Sequence, residues 1–316
     1  MSTTESRAIT LTDLPLLRRL SGRGIVLDAE TSATQDTHGV PASHLSSLLF
    51  NRGIYTYLAR GDHFEAVGQF RYKADDVNAH ILALAPGLDE VPEQAWLVLL
   101  DRMAREAGKL GAHSLIAEVD ARHRLFETFR QARFACYVRQ TIWRHDPVNA
   151  RSLVPLAEET GNDQIGIMSL ICHTVPTLQQ AVAAPGSESQ GLVYRANHQV
   201  EAYFALSEGR SGVYIVPYIH PDVQPYAADI LESAVARASA ASRLPVYVCV
   251  RSYQAWMDTT LHRLSFIPVV EQAVMVRQIA AGVRHIAFTR GRLNGKLEPA
   301  HRVTPPYWSA YPLDED

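Results

Sequence analysis

The sequence predicts a mixed α/β protein built as a tandem repeat, and three observations carry that expectation. Two stretches end alike: Arg133-Phe134 leads to Gln140, and Ser265-Phe266 leads to Gln272, with identical Phe-to-Gln spacing. Each half carries a meander of alternating strands ahead of a longer amphipathic helix. The 316 residues exceed one average domain and hold ample apolar material for two cores.

In chain order, a short strand is expected at residues 8–11, with Thr12 and Asp13 as N-cap types before an apolar helix, L-P-L-L-R-R-L. The polar segment 21–43 reads as a mobile lid or a plain surface loop. Alternation then gives strands at 54–59, 66–72 and 79–85, separated by the turn pairs Gly61-Asp62 and Asp75-Asp76. Trp96, Leu97, Leu100, Met103, Ala104 and Ala107 form the apolar stripe of the long helix. A strand at 114–119, a short amphipathic helix at 125–132 and a strand containing Gln140 close the first half.

The second half repeats this order. A strand is expected at 152–156, a helix from about residue 162, and strands at 191–196, 199–206 and 213–219 around the turn pairs Ala196-Asn197 and Glu208-Gly209. Ile230, Leu231, Ala234, Val235 and Ala238 make the matching helical stripe, followed by a strand at 246–250, a helix at 257–264 and a strand containing Gln272. Asp146-Pro147 interrupts the strand pattern and places a hinge at 145–149. The expected domains are therefore 1–146 and 147–281. From 282 to 316 the chain is turn-rich and without periodicity, read as an extended or disordered tail. Its Tyr307, Trp308 and Tyr311 offer aromatic side chains to a groove, a loosely ordered terminus being the plainer reading.

A formal charge of −3 leaves no broad basic field for nucleic acid or an acidic membrane. Cys136, Cys172 and Cys249 show no C-x-x-C spacing, and the thirteen histidines form no H-x-x-x-H pattern, so neither a disulfide framework nor a metal site is expected. Cys136 and Cys249 lie in apolar strands and are expected to be inert, buried thiols. The N-terminus lacks a basic segment followed by an apolar run, and no stretch reaches membrane-span length; a soluble, unprocessed, cytoplasmic protein is expected.

The element order in each half, together with the Phe-closed helices, resembles the GNAT (GCN5-related N-acetyltransferase) superfamily over residues 5–280. The resemblance implies two GNAT-like domains, each a mostly antiparallel mixed sheet flanked by helices. It also implies an acetyl-CoA or other acyl-CoA cofactor and acyl transfer to the amine of a small molecule or peptide. The family's coenzyme loop reads (R/Q)-x-x-G-x-(G/A) between a strand and a helix. Residues 219–231, I-H-P-D-V-Q-P-Y-A-A-D-I-L, match that frame with Gln224 in the Arg/Gln place and Ala227 and Asp229 where the glycines stand. By this resemblance Ile219, Gln224, Tyr226, Ala227 and Ala228 are the cofactor-binding residues, an ordinary Pro-started helix being the competing role of the stretch.

The first-half counterpart, A-P-G-L-D-E-V-P-E-Q-A-W, puts Asp89 in the Arg/Gln place and Pro92 and Gln94 at the glycines. A carboxylate there would repel a phosphate by about 1–4 kcal/mol, so Asp89, Glu90 and Glu93 are better explained as acids complementing a helix N-terminus that starts at Pro92. The tyrosine that many GNATs place five residues before the closing Phe is replaced by Phe129 and Leu261. Tyr253 is the available substitute as acid, unless it is a loop tyrosine packed on the surface. Glu118 and Asp120, on one face at a strand end, and Glu201 in the second meander are the base candidates; capping the next turn is the competing role of Asp120. The leading expectation is an N-acyltransferase with eroded cofactor motifs. The rival is an inactive tandem fold that binds a ligand or protein, and a third arrangement joins both halves in one composite cleft.

Overall fold

Matching sequence signals become matching elements, and the sheet that they build is shared between the halves. The computed structural model describes residues 5–20, 22–35, 53–74, 76–146, 151–183, 190–239 and 244–279. The first half contains β1 (Glu5–Ala8), α1 (Leu14–Leu20), β2 (Ile25–Val26), α2 (Ala29–Thr34), β3 (Ile54–Arg60), β4 (Glu65–Arg71), β5 (Asn78–Ala85), α3 (Glu93–Leu110), β6 (Ser114–Asp120), α4 (Leu125–Gln131) and β7 (Ala135–His145). The second contains β8 (Ala157–Glu158), α5 (Gln164–Thr174), α6 (Thr177–Ala183), β9 (Gln190–Ala196), β10 (Gln199–Glu208), β11 (Val213–Ile219), α7 (Ala227–Ser239), β12 (Val246–Arg251), α8 (Met257–Arg263) and β13 (Ile267–Gln278). The tail 282–316, most of the expected hinge, Asp75 and residues 36–43 of the polar segment lie outside the described residues.

Both halves open with the same device. Thr10 donates its N–H to Asp13 Oδ2 at 2.8 Å and its hydroxyl at 3.0 Å; Thr160 does the same to Asp163 at 2.8 and 2.7 Å. Each acid is also held by an arginine, Arg7 at 2.7 Å and Arg195 at 3.1 Å. This corrects the expected first elements. The opening strand ends at Ala8 and Thr10 is the cap, because only a cap three residues ahead of the acid lets that acid return to the cap N–H. In the second half the strand is Ala157–Glu158, after the apolar stretch 152–156.

Both last helices also close alike. Arg133 and Ser265 take left-handed backbone (φ 66° and 65°), and the Phe134 and Phe266 N–H groups reach back 3.0 Å to the carbonyls of Phe129 and Leu261. This Schellman-type ending turns each chain into its final strand. The repeated Phe in the sequence is therefore the apolar plug of a helix stop.

The strands run in the order β1-β3-β4-β5-β6-β13-β7-β12-β11-β10-β9-β8, with β2 added to β5. Read inward from either edge, the two halves follow one order, except that their last strands have changed places. β13 lies between β6 and β7, pairing Gln272 with Asp120 on one side and with Gln140 on the other. β7 in turn pairs with β12, Gln140 opposite Arg251. All neighbours are antiparallel except β5–β6 and β11–β12.

On one face α3 and α4 bury Trp96, Leu99, Leu100, Met103 and Phe129, while α7 and α8 bury Ile230, Leu231, Ala234, Met257 and Leu261. Each of the buried Leu, Ile, Met and Phe side chains contributes about 1.5–3 kcal/mol by leaving water. Gly68 lets α3 lie close to β4, since a Cβ there would come within 2.5 Å of Met103 Sδ. On the other face, α1 packs its leucines on Leu58 and Val67, and α5 packs Ile167, Leu170 and Ile171 on Tyr203 and Tyr218.

Candidate functional site

The two parallel pairs, β5–β6 and β11–β12, each begin as a ladder and then part. β5 and β6 pair only from Asn78↔Ser114 to His80↔Ile116, and β11 and β12 only from Val213↔Val246 to Ile215↔Val248. Beyond those points each pair leaves a wedge with backbone groups on its walls. In the first half that wedge is filled by the chain itself. Ile25 and Val26 pair with Leu84 and Ala83, the Leu27 N–H donates to the Leu82 carbonyl at 2.8 Å, and the Leu27 carbonyl accepts from the Glu118 N–H at 2.8 Å. Leu27 itself is buried in the first core.

The strap continues as α2, capped by Asp28, whose Oδ1 accepts from the Thr31 N–H at 2.7 Å. α2 crosses onto the hairpin of β10 and β11, where the Ser211 N–H donates to the Thr34 carbonyl at 3.1 Å. Gly209 and Gly212 make the approach possible: a Cβ on either would lie 2.1 and 2.6 Å from the carbonyls of Thr34 and Ala33. Residues 22–35 are thus structured, which corrects the lid-or-loop expectation. The strand is too short to show alternation in the sequence, and it draws its hold from backbone bonds.

In the second half no strap fills the wedge among the described residues. Gln254 of the turn after β12 donates from Nε2 to the Pro217 carbonyl at 2.7 Å.

At the junction of the halves, polar side chains from both gather on the exchanged strands. Glu118 on β6 accepts from the Ala29 N–H at 2.5 Å and is hydrogen-bonded by Gln140. Gln140 donates from Nε2 to Gln272 Oε1 at 3.0 Å, and its Oε1 accepts from the Cys249 thiol at 3.4 Å. The equal spacing seen in the sequence is what brings the two glutamines face to face. Burial first, then the Asp28 carboxylate, pushes the Glu118 carboxyl up to about 7, against the Ala29 N–H, Gln140 and Arg251. A carboxyl there exchanges its proton near neutral pH. Burial likewise pushes the Cys249 thiol up to about 11 and Tyr218 up to about 12, so Cys249 stays protonated and is no nucleophile.

Arg251 ends β12 with 9% of its surface exposed and leaves its Nε without a partner. Its Nη1 donates to Tyr253 Oη at 3.4 Å. Burial opposes the guanidinium charge, but Tyr218, Tyr253 and Cys249 around it raise its pKa further. A cavity of about 250 Å³ opens beside this cluster, lined by Arg139, Gln140, Arg251, Asp258, Glu271 and Gln272 among others.

The expected site residues separate into groups. Tyr253 contacts Arg251, and Glu118 lies near enough to feel its charge. Asp120 lies exposed at the end of β6, where its Oδ1 accepts from the Arg122 N–H at 2.8 Å, so it caps the turn. Glu201 is buried on β10 and meets His220 Nδ1 at 3.3 Å, at the end of β11. Ile219 closes β11 and is buried, as are Ala227 and Ala228 at the start of α7; Gln224 is half-buried and Tyr226 is 60% exposed. Asp28, Gln140, Gln272 and Arg251 were not marked as site residues by the sequence. Cys136, expected to be buried, is exposed at the start of β7.

The fit to an acyl-CoA differs between the halves. In the first, the wedge is closed by the strap, and the turn before α3 carries Asp89 and Glu90, paired with Arg124 and Arg23, with Glu93 in the first helical turn. A pantetheine arm and a diphosphate do not fit there. In the second, the wedge remains, but the turn Pro221–Tyr226 uses several N–H groups on itself: Asp222 to His220 Nδ1, Val223 to the His220 carbonyl and Ala227 to the Gln224 carbonyl. What remains for an anion is the exposed edge of the turn with Gln224 and Tyr226. The fit is confined to this half.

Among the described residues no helix is long and apolar enough to cross a membrane, and no group of three or more His, Cys, Asp or Glu side chains is arranged to hold a metal ion. No protein-family model matches the sequence, and no curated protein matches it. Solved structures do share the fold. A GCN5-related N-acetyltransferase from Sphaerobacter thermophilus matches with a TM-score of 0.54 at 12% identity, covering 87% of this chain and 96% of that one. A tandem GNAT protein from the clavulanic acid biosynthesis pathway matches with a TM-score of 0.54 at 11% identity, covering 88% and 99%. A functionally unknown protein from Staphylococcus epidermidis matches with a TM-score of 0.50 at 10% identity, covering 67% and 91%. With two halves in one element order and structural counterparts over nearly nine-tenths of its length, the chain has the tandem GNAT fold.

Proposed function

We propose that the protein is a GNAT-type N-acyltransferase in which one coenzyme site survives, in the second half, and in which both halves build the acceptor site. The observation that carries this reading is Glu118. It belongs to the first half, yet its hydrogen-bond partner Gln140 accepts at 3.4 Å from Cys249, which with Arg251 follows the last paired residue of β12 at the start of the second wedge. Acyl-CoA, when bound, supplies the thioester carbonyl; Gln224, Tyr226 and the wedge edge near Ile219 are the residues that would hold it. Glu118 takes the proton from the acceptor ammonium on the carboxylate oxygen that does not accept from the Ala29 N–H. Gln140 keeps the carboxylate in place and is itself locked by Gln272. No tyrosine replaces Phe129 or Leu261; the proton for the leaving thiolate is assigned to Tyr253, near Arg251.

Calorimetric titration with acetyl-CoA, combined with assay of released thiol against a panel of amines, tests the reading. One binding site per chain and amine-dependent thiol release are expected. Two sites per chain, or none at millimolar acetyl-CoA, would sink it. The second reading, a ligand-binding protein without transfer, is favoured by the self-satisfied N–H groups of the turn Pro221–Tyr226. It predicts binding of the acceptor with no coenzyme bound.

A further inference from the structure

Arg251 is the group that this chemistry leaves unused. Among the described residues it forms no ion pair, although it is nine-tenths buried. Of the other arginines that line a cavity, Arg19, Arg23, Arg60, Arg124 and Arg130 each meet a carboxylate, and Arg139 lies over the Phe126 ring. Taking a guanidinium out of water is costly unless an anion meets it, and the neutral hydroxyls of Tyr218 and of Tyr253, the latter at 3.4 Å, are weak substitutes. The planar fork of an arginine suits a carboxylate, which it can hold through two parallel hydrogen bonds.

The surroundings narrow the ligand further. The adjoining cavity is lined by cations (Arg139 and Arg251), by acids (Asp258 and Glu271) and by the neutral amides Gln140 and Gln272. At about 250 Å³ it falls just below the range typical of drug-sized ligands. Gln140 joins this cavity to Glu118, the group that handles the amine. Arg251 and Glu118 stand on β12 and β6, with only β7 and β13 between them.

The geometry points to Arg251 as the docking group for a carboxylate on the acceptor, so that the acceptor class is a zwitterion of amino-acid type, its amine directed to Glu118 and its carboxylate to Arg251. The assignment rests on the acyltransferase reading for the role of Glu118, while the carboxylate half stands on Arg251.

The test uses the full chain without coenzyme. The twenty protein L-amino acids and the primary amide of each are titrated by calorimetry and by thermal shift. At least one amino acid is expected to bind, with its amide weaker by about tenfold or more. Arg251→Gln should abolish that preference, and so should Arg251→Lys, which keeps the charge but not the fork; circular dichroism reports whether each variant is folded. An amide that binds as well as its acid, a preference that survives in a folded Arg251→Gln or Arg251→Lys protein, or no binding by any of the twenty would overturn the assignment. Amino-acid binding without thiol release from acetyl-CoA would instead uphold it and sink the transferase reading.

Discussion

The two halves share their caps, their helix stops and their strand order, yet treat the wedge between their parallel strands in opposite ways. In the first, residues 25–27 complete the hydrogen bonding of both walls, and α2 then ties the first half to the hairpin of the second. In the second, the wedge is left to the Gln254 amide and whatever binds there. One copy has become scaffold and the other has kept the opening. On the proposed reading the scaffold copy is not idle, because it supplies Glu118 to the site of its neighbour. On that reading a duplicated fold loses one site and still needs both copies.

If the exchange of β7 and β13 binds the halves into one cooperative unit, separating them should be the most damaging experiment. Residues 1–146 expressed alone would leave β6 and β7 without the strand that lies between them, and 147–281 would leave β13 without both of its neighbours. Neither fragment is expected to give a cooperative thermal transition, whereas co-expression should restore one. A well-folded isolated half would show that the exchange is incidental.

Next in size is Glu118→Gln. On the proposed reading it lowers acyl transfer by about 10²- to 10⁴-fold, and it removes the rise in rate through pH 7. The same substitution separates catalysis from stability. The folded carboxyl, at about 7, lies above its ordinary 4.5, so the native state holds this proton more tightly than the unfolded chain does. The contribution to stability is complete below about pH 4.5 and is lost as pH rises through about 7. Denaturant titrations at pH 8 should find Glu118→Gln more stable than the parent by on the order of 1–3 kcal/mol, with the difference gone near pH 4. Equal stabilities at pH 8 would show that the carboxyl is not raised.

The strap is tested from the other half. Gly212→Ala drives a Cβ toward the Ala33 carbonyl and should cost about 1–3 kcal/mol, since the backbone oxygens of Ala33 and Pro245 crowd it along with the Tyr247 ring. Hydrogen exchange should quicken at the amides of Leu27, Ala29 and Glu118, which the strap protects, and leave the β9–β10 ladder unchanged. Uniform loss of protection across the sheet would mean that the strap does not move as a unit.

What could be read from the sequence follows from how each element earns its burial. The stripes of α3 and α7, the alternation of the two meanders and the Phe-to-Gln endings are local signals, so element order and fold class were legible. The strap was not, because a two-residue strand and a helix reading A-E-T-S-A-T carry no periodicity; backbone bonds and Asp28 define them. The exchange of β7 and β13 leaves no local trace either, since an alternating strand presents the same two faces to whichever neighbour it joins. For the site, Glu118 stood out as a carboxylate at a strand end. Arg251 read as the polar end of a strand, and Gln140 and Gln272 as markers of the repeat. Only their register across the junction turns them into a cluster.

The smallest effect is a check on what the halves have in common. Arg133 and Ser265 occupy the same left-handed position, at φ 66° and 65°, where a side chain is disfavoured and glycine is not. Arg133→Gly and Ser265→Gly should therefore each stabilise the protein by about 0.5–1 kcal/mol, the relief of strain exceeding the greater freedom of glycine in the unfolded chain. The positions flank opposite ends of the paired strands β7 and β13, Ala135 lying opposite Val276 and Ile267 opposite Arg144. With no shared contacts the double variant should show the sum of the two effects. Urea midpoints for the four proteins measure this directly. Additive gains of equal size would show that the two helix stops are still one structure; a gain in one half alone would mean that the copies have diverged here too.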